Sequence, residues 1–86
     1  MAKKISVNIH DFAKKFGEEY EFCYENDDCV AGYEEAVDAF DDYLKRDICG
    51  FKKFVGEFVN FRHDFISSDR EAAAFMFALE SMGALA

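Results

Sequence analysis

At 86 residues and 9.9 kDa, with 51% apolar residues, the chain has room for one small domain and enough apolar side chains to fill a core. Eleven phenylalanines and four tyrosines are too many for a disordered acidic tail. Eighteen acids against ten bases, a formal charge of −8 with a pI near 4.6, exclude phosphate binding of the usual basic kind, and no apolar run approaches the roughly 20 residues of a membrane span.

The start of the chain, Met1-Ala2-Lys3-Lys4-Ile5-Ser6-Val7, carries two lysines but no apolar stretch behind them, so it reads as neither a signal nor a transit peptide. Cys23, Cys29 and Cys49 are odd in number and lack paired spacing, which fits reduced thiols and a cytoplasmic location. Ile5, Val7 and Ile9 alternate with polar residues and predict a short extended arm.

No proline interrupts the chain, and four segments show apolar recurrence at helical spacing. The first helix is expected over about residues 9–25, with Ile9, Phe12, Ala13, Phe16, Tyr20, Cys23 and Tyr24 on one face. Asn8 suits its N-cap, and Asp11 suits the positive end of its dipole. Asn26-Asp27-Asp28 makes a turn, and Asp28 is the expected cap of a second helix over residues 29–46. That helix places Tyr33, Ala36, Val37, Phe40, Tyr43 and Leu44 on its apolar face, with Lys45 and Arg46 in its last turn. Asp47 can start a third helix over 48–65, whose apolar arc holds Phe51, Phe54, Val55, Phe58, Val59, Phe61, Phe65 and Ile66. Arg62 lies on that arc, and the expectation is that it snorkels to water, the alternative being a pair with a carboxylate at an interface. Ser68 and Glu71 have capping-box spacing for a fourth helix over 69–82. The fold class is therefore all-α: a compact single-domain bundle of four short helices spanning 1–86, with a short N-terminal extended arm. Phenylalanine at so many core positions predicts an irregular bundle in which large rings set the crossing angles.

The charge is unevenly placed. From Glu18 to Leu44 there are eleven acids and no base, while the rest of the chain is mildly positive. On the second helix Glu34, Glu35, Asp38, Asp41 and Asp42 share an arc of about 120° opposite the apolar stripe. Asp38 stands three or four residues from each of the other four, a spacing at which like charges repel by roughly 0.2–0.5 kcal/mol per pair. No lysine is interleaved to relieve it, unlike the mixed-sign surface of a merely solubilising face. An ordinary solvated face is the bland explanation. The functional one is an electronegative stripe, supported by Glu18, Glu19, Glu21, Glu25, Asp27 and Asp28, that docks on a basic groove by imitating the spaced charges of nucleic acid.

The fourth helix is apolar nearly all round. Ala72, Phe75, Met76, Leu79 and Met82 make a core stripe, yet Ala73, Ala74, Phe77 and Ala78 lie on another side, with Leu85 beyond. Either this helix runs through the middle of the fold, or the Ala73, Ala74, Phe77 and Ala78 side is an oligomer interface, as of a homodimer.

Catalytic constellations are missing from the sequence, and the chain is expected to be no enzyme and to need no cofactor or metal. Cys23 and Cys49 fall on or near apolar stripes, where cysteine acts as a small hydrophobe, and His10 and His63 do not have zinc-ligand spacing. Lys52, Lys53, Asn60 and His63 on the third helix are too few to overcome the acidic half, so direct nucleic-acid binding is not expected. In size and charge, with no shared motif, the chain resembles small acidic helical inhibitors: nuclease immunity proteins, antirestriction and anti-CRISPR proteins and other DNA mimics. The expectation is a non-enzymatic inhibitor whose partner is a basic nucleic-acid-binding protein. The alternative is a homo-oligomeric structural or regulatory assembly module working through the apolar last helix.

Overall fold

Asn8 opens the first helix, α1 (Ile9–Glu25), as its position suggested: its side-chain oxygen accepts from the backbone N–H groups of His10 (2.8 Å) and Asp11 (3.2 Å). The computed structural model describes residues 5–25, 32–47, 50–62 and 68–84. Over these the chain forms three more helices, α2 (Tyr33–Arg46), α3 (Phe51–Arg62) and α4 (Asp69–Ser81), and no strand. Ahead of α1, Ile5 is buried, and it lines a small cavity together with Gly50 and with Lys53, Phe54 and Glu57 of α3. The expected cap Asp28 lies outside the described residues, as do Phe65, Ile66 and Leu85.

Two helix starts differ from the expected ones for the same reason. Gly32 has φ +79° and Gly50 has φ +69°, left-handed backbone that cannot continue an α-helix. A helix from 29 cannot run through Gly32, nor one from 48 through Gly50, so α2 begins at Tyr33 and α3 at Phe51. Asp47 holds both sides of the second junction. Its backbone N–H closes α2 on Tyr43 O (2.7 Å), and its carboxylate accepts from the N–H of Lys52 in the first turn of α3 (3.2 Å).

At Ser68 the capping spacing is realised. The hydroxyl oxygen accepts from the Glu71 N–H (3.2 Å), and the hydroxyl donates to Glu71 Oε1 (3.1 Å). The helix ends at Met82 with Gly83 at φ +68°; Ala84 N–H reaches Leu79 O (2.9 Å) and Gly83 N–H reaches Glu80 O (3.0 Å), a Schellman closure.

Although last in the chain, α4 is the central element: α1 and α2 each pack closely along it, and scarcely on one another. Ala73, Ala74 and Ala78 are fully buried, so their small side chains let the neighbouring backbones approach. α3 meets α4 through rings instead. Phe75 is fully buried, with the rings of Phe12, Phe16, Phe40, Phe51, Phe54 and Phe58 around it at 4.8–6.5 Å between centroids, and all six pairs are edge-to-face. A ring cluster drawn from all four helices thus joins them in one core, with a radius of gyration of 11.9 Å against about 12 Å for a compact chain of this length.

Of the residues expected at an oligomer interface, Ala73, Ala74 and Ala78 are covered by the chain's own helices, and Phe77 alone keeps partial exposure. The apolar girth of α4 is accounted for by its interior position. Tyr24 and Phe61, assigned to apolar faces by spacing, are 65% and 41% exposed; Arg70 lies over the Tyr24 ring, and His10 meets Phe61 edge-on at 4.8 Å. Arg62 does not snorkel. Its guanidinium lies 4.8 Å from the Phe16 centroid and 5.7 Å from that of Phe58, and Nη1 pairs with Glu71 Oε2 at 3.3 Å. The capping carboxylate of α4 therefore also anchors the end of α3.

Candidate interaction surface

α2 owes its orientation to Ala36 and Phe40, which are buried, and this turns the opposite arc of the helix to water. Glu34, Glu35, Asp38 and Asp41 are exposed, and Asp42 is partly covered. Asp42 is paired with Arg46 one turn on, through Nη2 at 2.8 Å and Nε at 2.9 Å. The other four have no ion pair among the described residues. The arc is thus a row of carboxylates on a helix whose other side is locked in the core.

The α1 acids lie on a different helix, and α1 and α2 each pack on α4. Glu18, Glu21 and Glu25 are exposed and Glu19 is partly covered; Lys15 Nζ sits 3.7 Å from both Glu18 and Glu19, which tempers their charge. Asp27 and Asp28 lie outside the described residues. Among the described residues the α2 arc gathers five carboxylates on one helix face.

Because Asp38 faces four like charges, neutralising it is expected to stabilise the fold. The relief amounts to as much as about 1 kcal/mol at low salt, or several degrees in Tm, and shrinks as salt screens the surface. A thermal melt of Asp38→Asn beside the parent chain measures this, and an unchanged Tm at low salt would mean the arc carries no local repulsion.

Beside the arc runs a groove of about 610 Å³ between α2 and α4, lined by Gly32, Glu35, Ala36, Ala39, Tyr43, Met76, Phe77 and Glu80. Sequence reasoning missed it, since Ala39 and Glu80 belong to different helices and nothing in either helix alone indicates that they face one another. The available signal was a small residue, Ala39, adjoining the apolar stripe of α2. A shallower notch on the other flank of the arc is lined by Tyr33, Glu34, Val37, Asp38 and Asp69.

Cys23 is fully buried in the core, and His10 packs against Phe61; Cys29, Cys49 and His63 lie outside the described residues. Among the described residues no group of three or more His, Cys, Asp or Glu side chains is arranged to hold a metal ion, and no helix is long and apolar enough to cross a membrane. Compared with protein families, curated proteins and solved structures, the chain matches none.

Proposed function

We propose that this protein is a non-enzymatic inhibitor that binds a basic nucleic-acid-binding protein through the acidic arc of α2, in the manner of antirestriction, anti-CRISPR or nuclease-immunity proteins. The observation that supports this reading is the row Glu34, Glu35, Asp38 and Asp41, presented outward without ion pairs among the described residues, on a helix held by Ala36 and Phe40. A row of fixed carboxylates needs little ordering on binding and meets a cationic channel with complementary potential, which raises the encounter rate and competes with nucleic acid for the same groove. Glu18, Glu21 and Glu25 of α1 extend the acidic field without being part of the same row. The reading places the protein in the cytoplasm, where such targets work. The assembly reading has less to rest on, because only Phe77 of its four residues is open to a partner.

Affinity capture from a lysate of the cell of origin, followed by mass spectrometry, tests this. The parent chain is compared with a variant carrying Glu34→Gln, Glu35→Gln, Asp38→Asn, Asp41→Asn and Asp42→Asn. A nucleic-acid-binding protein is expected with the parent and not with the variant. Its affinity is expected to fall more than tenfold between about 0.05 and 0.5 M salt, over which the screening length shortens about threefold. Equal capture by both chains, or binding indifferent to salt, would retire the arc as a solvated face.

A further inference from the structure

We infer that the groove between α2 and α4 is the seat of an amphipathic basic helix of the partner, with the partner's apolar anchors on the groove floor and its Lys or Arg side chains on the rims. The floor is apolar: Ala36 and Ala39 on one side, Met76 and Phe77 on the other. The rims are acidic, Glu35 from α2 and Glu80 from α4, and among the described residues no base lines the groove. Glu35 belongs to the acidic arc as well, so the groove continues that charged face inward. Two helices with small residues at their junction form a trough into which a third helix packs through anchors spaced three and four residues apart. Carboxylates on both rims select cationic flanks and disfavour acidic ones. The inference rests on the inhibitory reading of the arc and adds to it a place where apolar contact, rather than charge, distinguishes one basic protein from another.

Two fluorescein-labelled 15-residue peptides test this. One has leucines at helical spacing among lysines, and in the other each leucine is replaced by serine with the lysines unchanged. The leucine peptide is expected to bind the parent chain at least about tenfold more tightly, as burial of one or two leucines implies. Ala39→Gln, which narrows the groove without changing charge, is expected to remove that difference and leave the serine peptide's affinity alone. In protein labelled at the methionine methyls, the Met76 signal is expected to shift with the leucine peptide only, which reports the site independently of any variant. Equal binding of the two peptides with an unmoved Met76 signal would overturn the groove and leave the arc standing. Tight binding of the leucine peptide to a variant that keeps Glu35 and carries Glu34→Gln, Asp38→Asn, Asp41→Asn and Asp42→Asn, lost in Ala39→Gln, would uphold the groove and overturn the arc. Failure of both peptides to bind the parent chain would overturn both.

Discussion

Phe75→Ala is expected to destabilise the protein by about 3–5 kcal/mol, the cost of removing a fully buried ring and leaving the cavity behind. A chain of 86 residues has a total stability on the order of 4–13 kcal/mol, so the loss is a large part of the whole. The site offers little relief. Phe75 is ringed by side chains from α1, α2 and α3, and each of those rings would lose an edge-to-face partner at once. Collapse of one wall into the void would pull the others out of register, because the same ring cluster sets the spacing of all the helices. Phe61→Ala supplies the contrast. That ring is 41% exposed, and its described ring contact is His10, so a cost of about 1 kcal/mol or less is expected. Urea denaturation followed by circular dichroism measures both. Similar costs at the two positions would mean that the core is not organised around Phe75.

The periodicity of the sequence was enough to find this core, and the reason is specific. Phe12 and Phe16, Phe40, Phe51, Phe54 and Phe58, and Phe75 each sit on the apolar line of their own helix, and burial follows that line. Capping was equally legible at Asn8 and Ser68, where one polar side chain satisfies backbone donors within three residues of itself. Features that join two helices were not legible. Arg62 looked like a residue for water because a helical wheel contains no Glu71 and no Phe16 face to receive it. The early starts assigned to α2 and α3 overlooked what Gly32 and Gly50 allow, a left-handed turn placed directly before each helix. For the last helix, apolar nearly all round, spacing left two readings open, and the structure takes the first: α4, with fully buried alanines along it, draws in α1 and α2 and becomes the axis.

The candidate site divides in the same way. The acidic arc is a property of one helix and could be read from spacing, whereas the groove beside it needs two helices in place before Ala39 and Phe77 face the same space. The arc also accepts a local cost. Its Asp42–Arg46 pair offsets one charge, while Asp38 remains beside Glu34, Glu35 and Asp41. On the reading proposed above, stability and function trade against each other on this face, and the neutralised variants are expected to be more stable and to lose the proposed partner.

Ala74→Asp and Phe77→Glu together decide what the apolar girth of α4 is for. Ala74 is fully buried against the chain's own helices, so an aspartate there must either enter the core unpaired or force α4 away from its neighbours. Either route costs several kcal/mol, comparable with the whole stability, and Ala74→Asp is expected to lose its cooperative thermal transition. Phe77 keeps one side in water at the groove wall, and a glutamate can turn its carboxylate outward, so Phe77→Glu is expected to stay folded at a cost of about 1–2 kcal/mol. Circular dichroism melts read the first quantity, and light scattering on a sizing column reads the mass of whatever remains folded. An oligomer interface would behave in the opposite way: Ala74→Asp would give a well-folded monomer from a parent dimer, because the new charge would lie on a surface exposed by dissociation. Unfolding at Ala74 with an unchanged mass at Phe77 ties the alanine side of α4 to the interior of the chain's own fold.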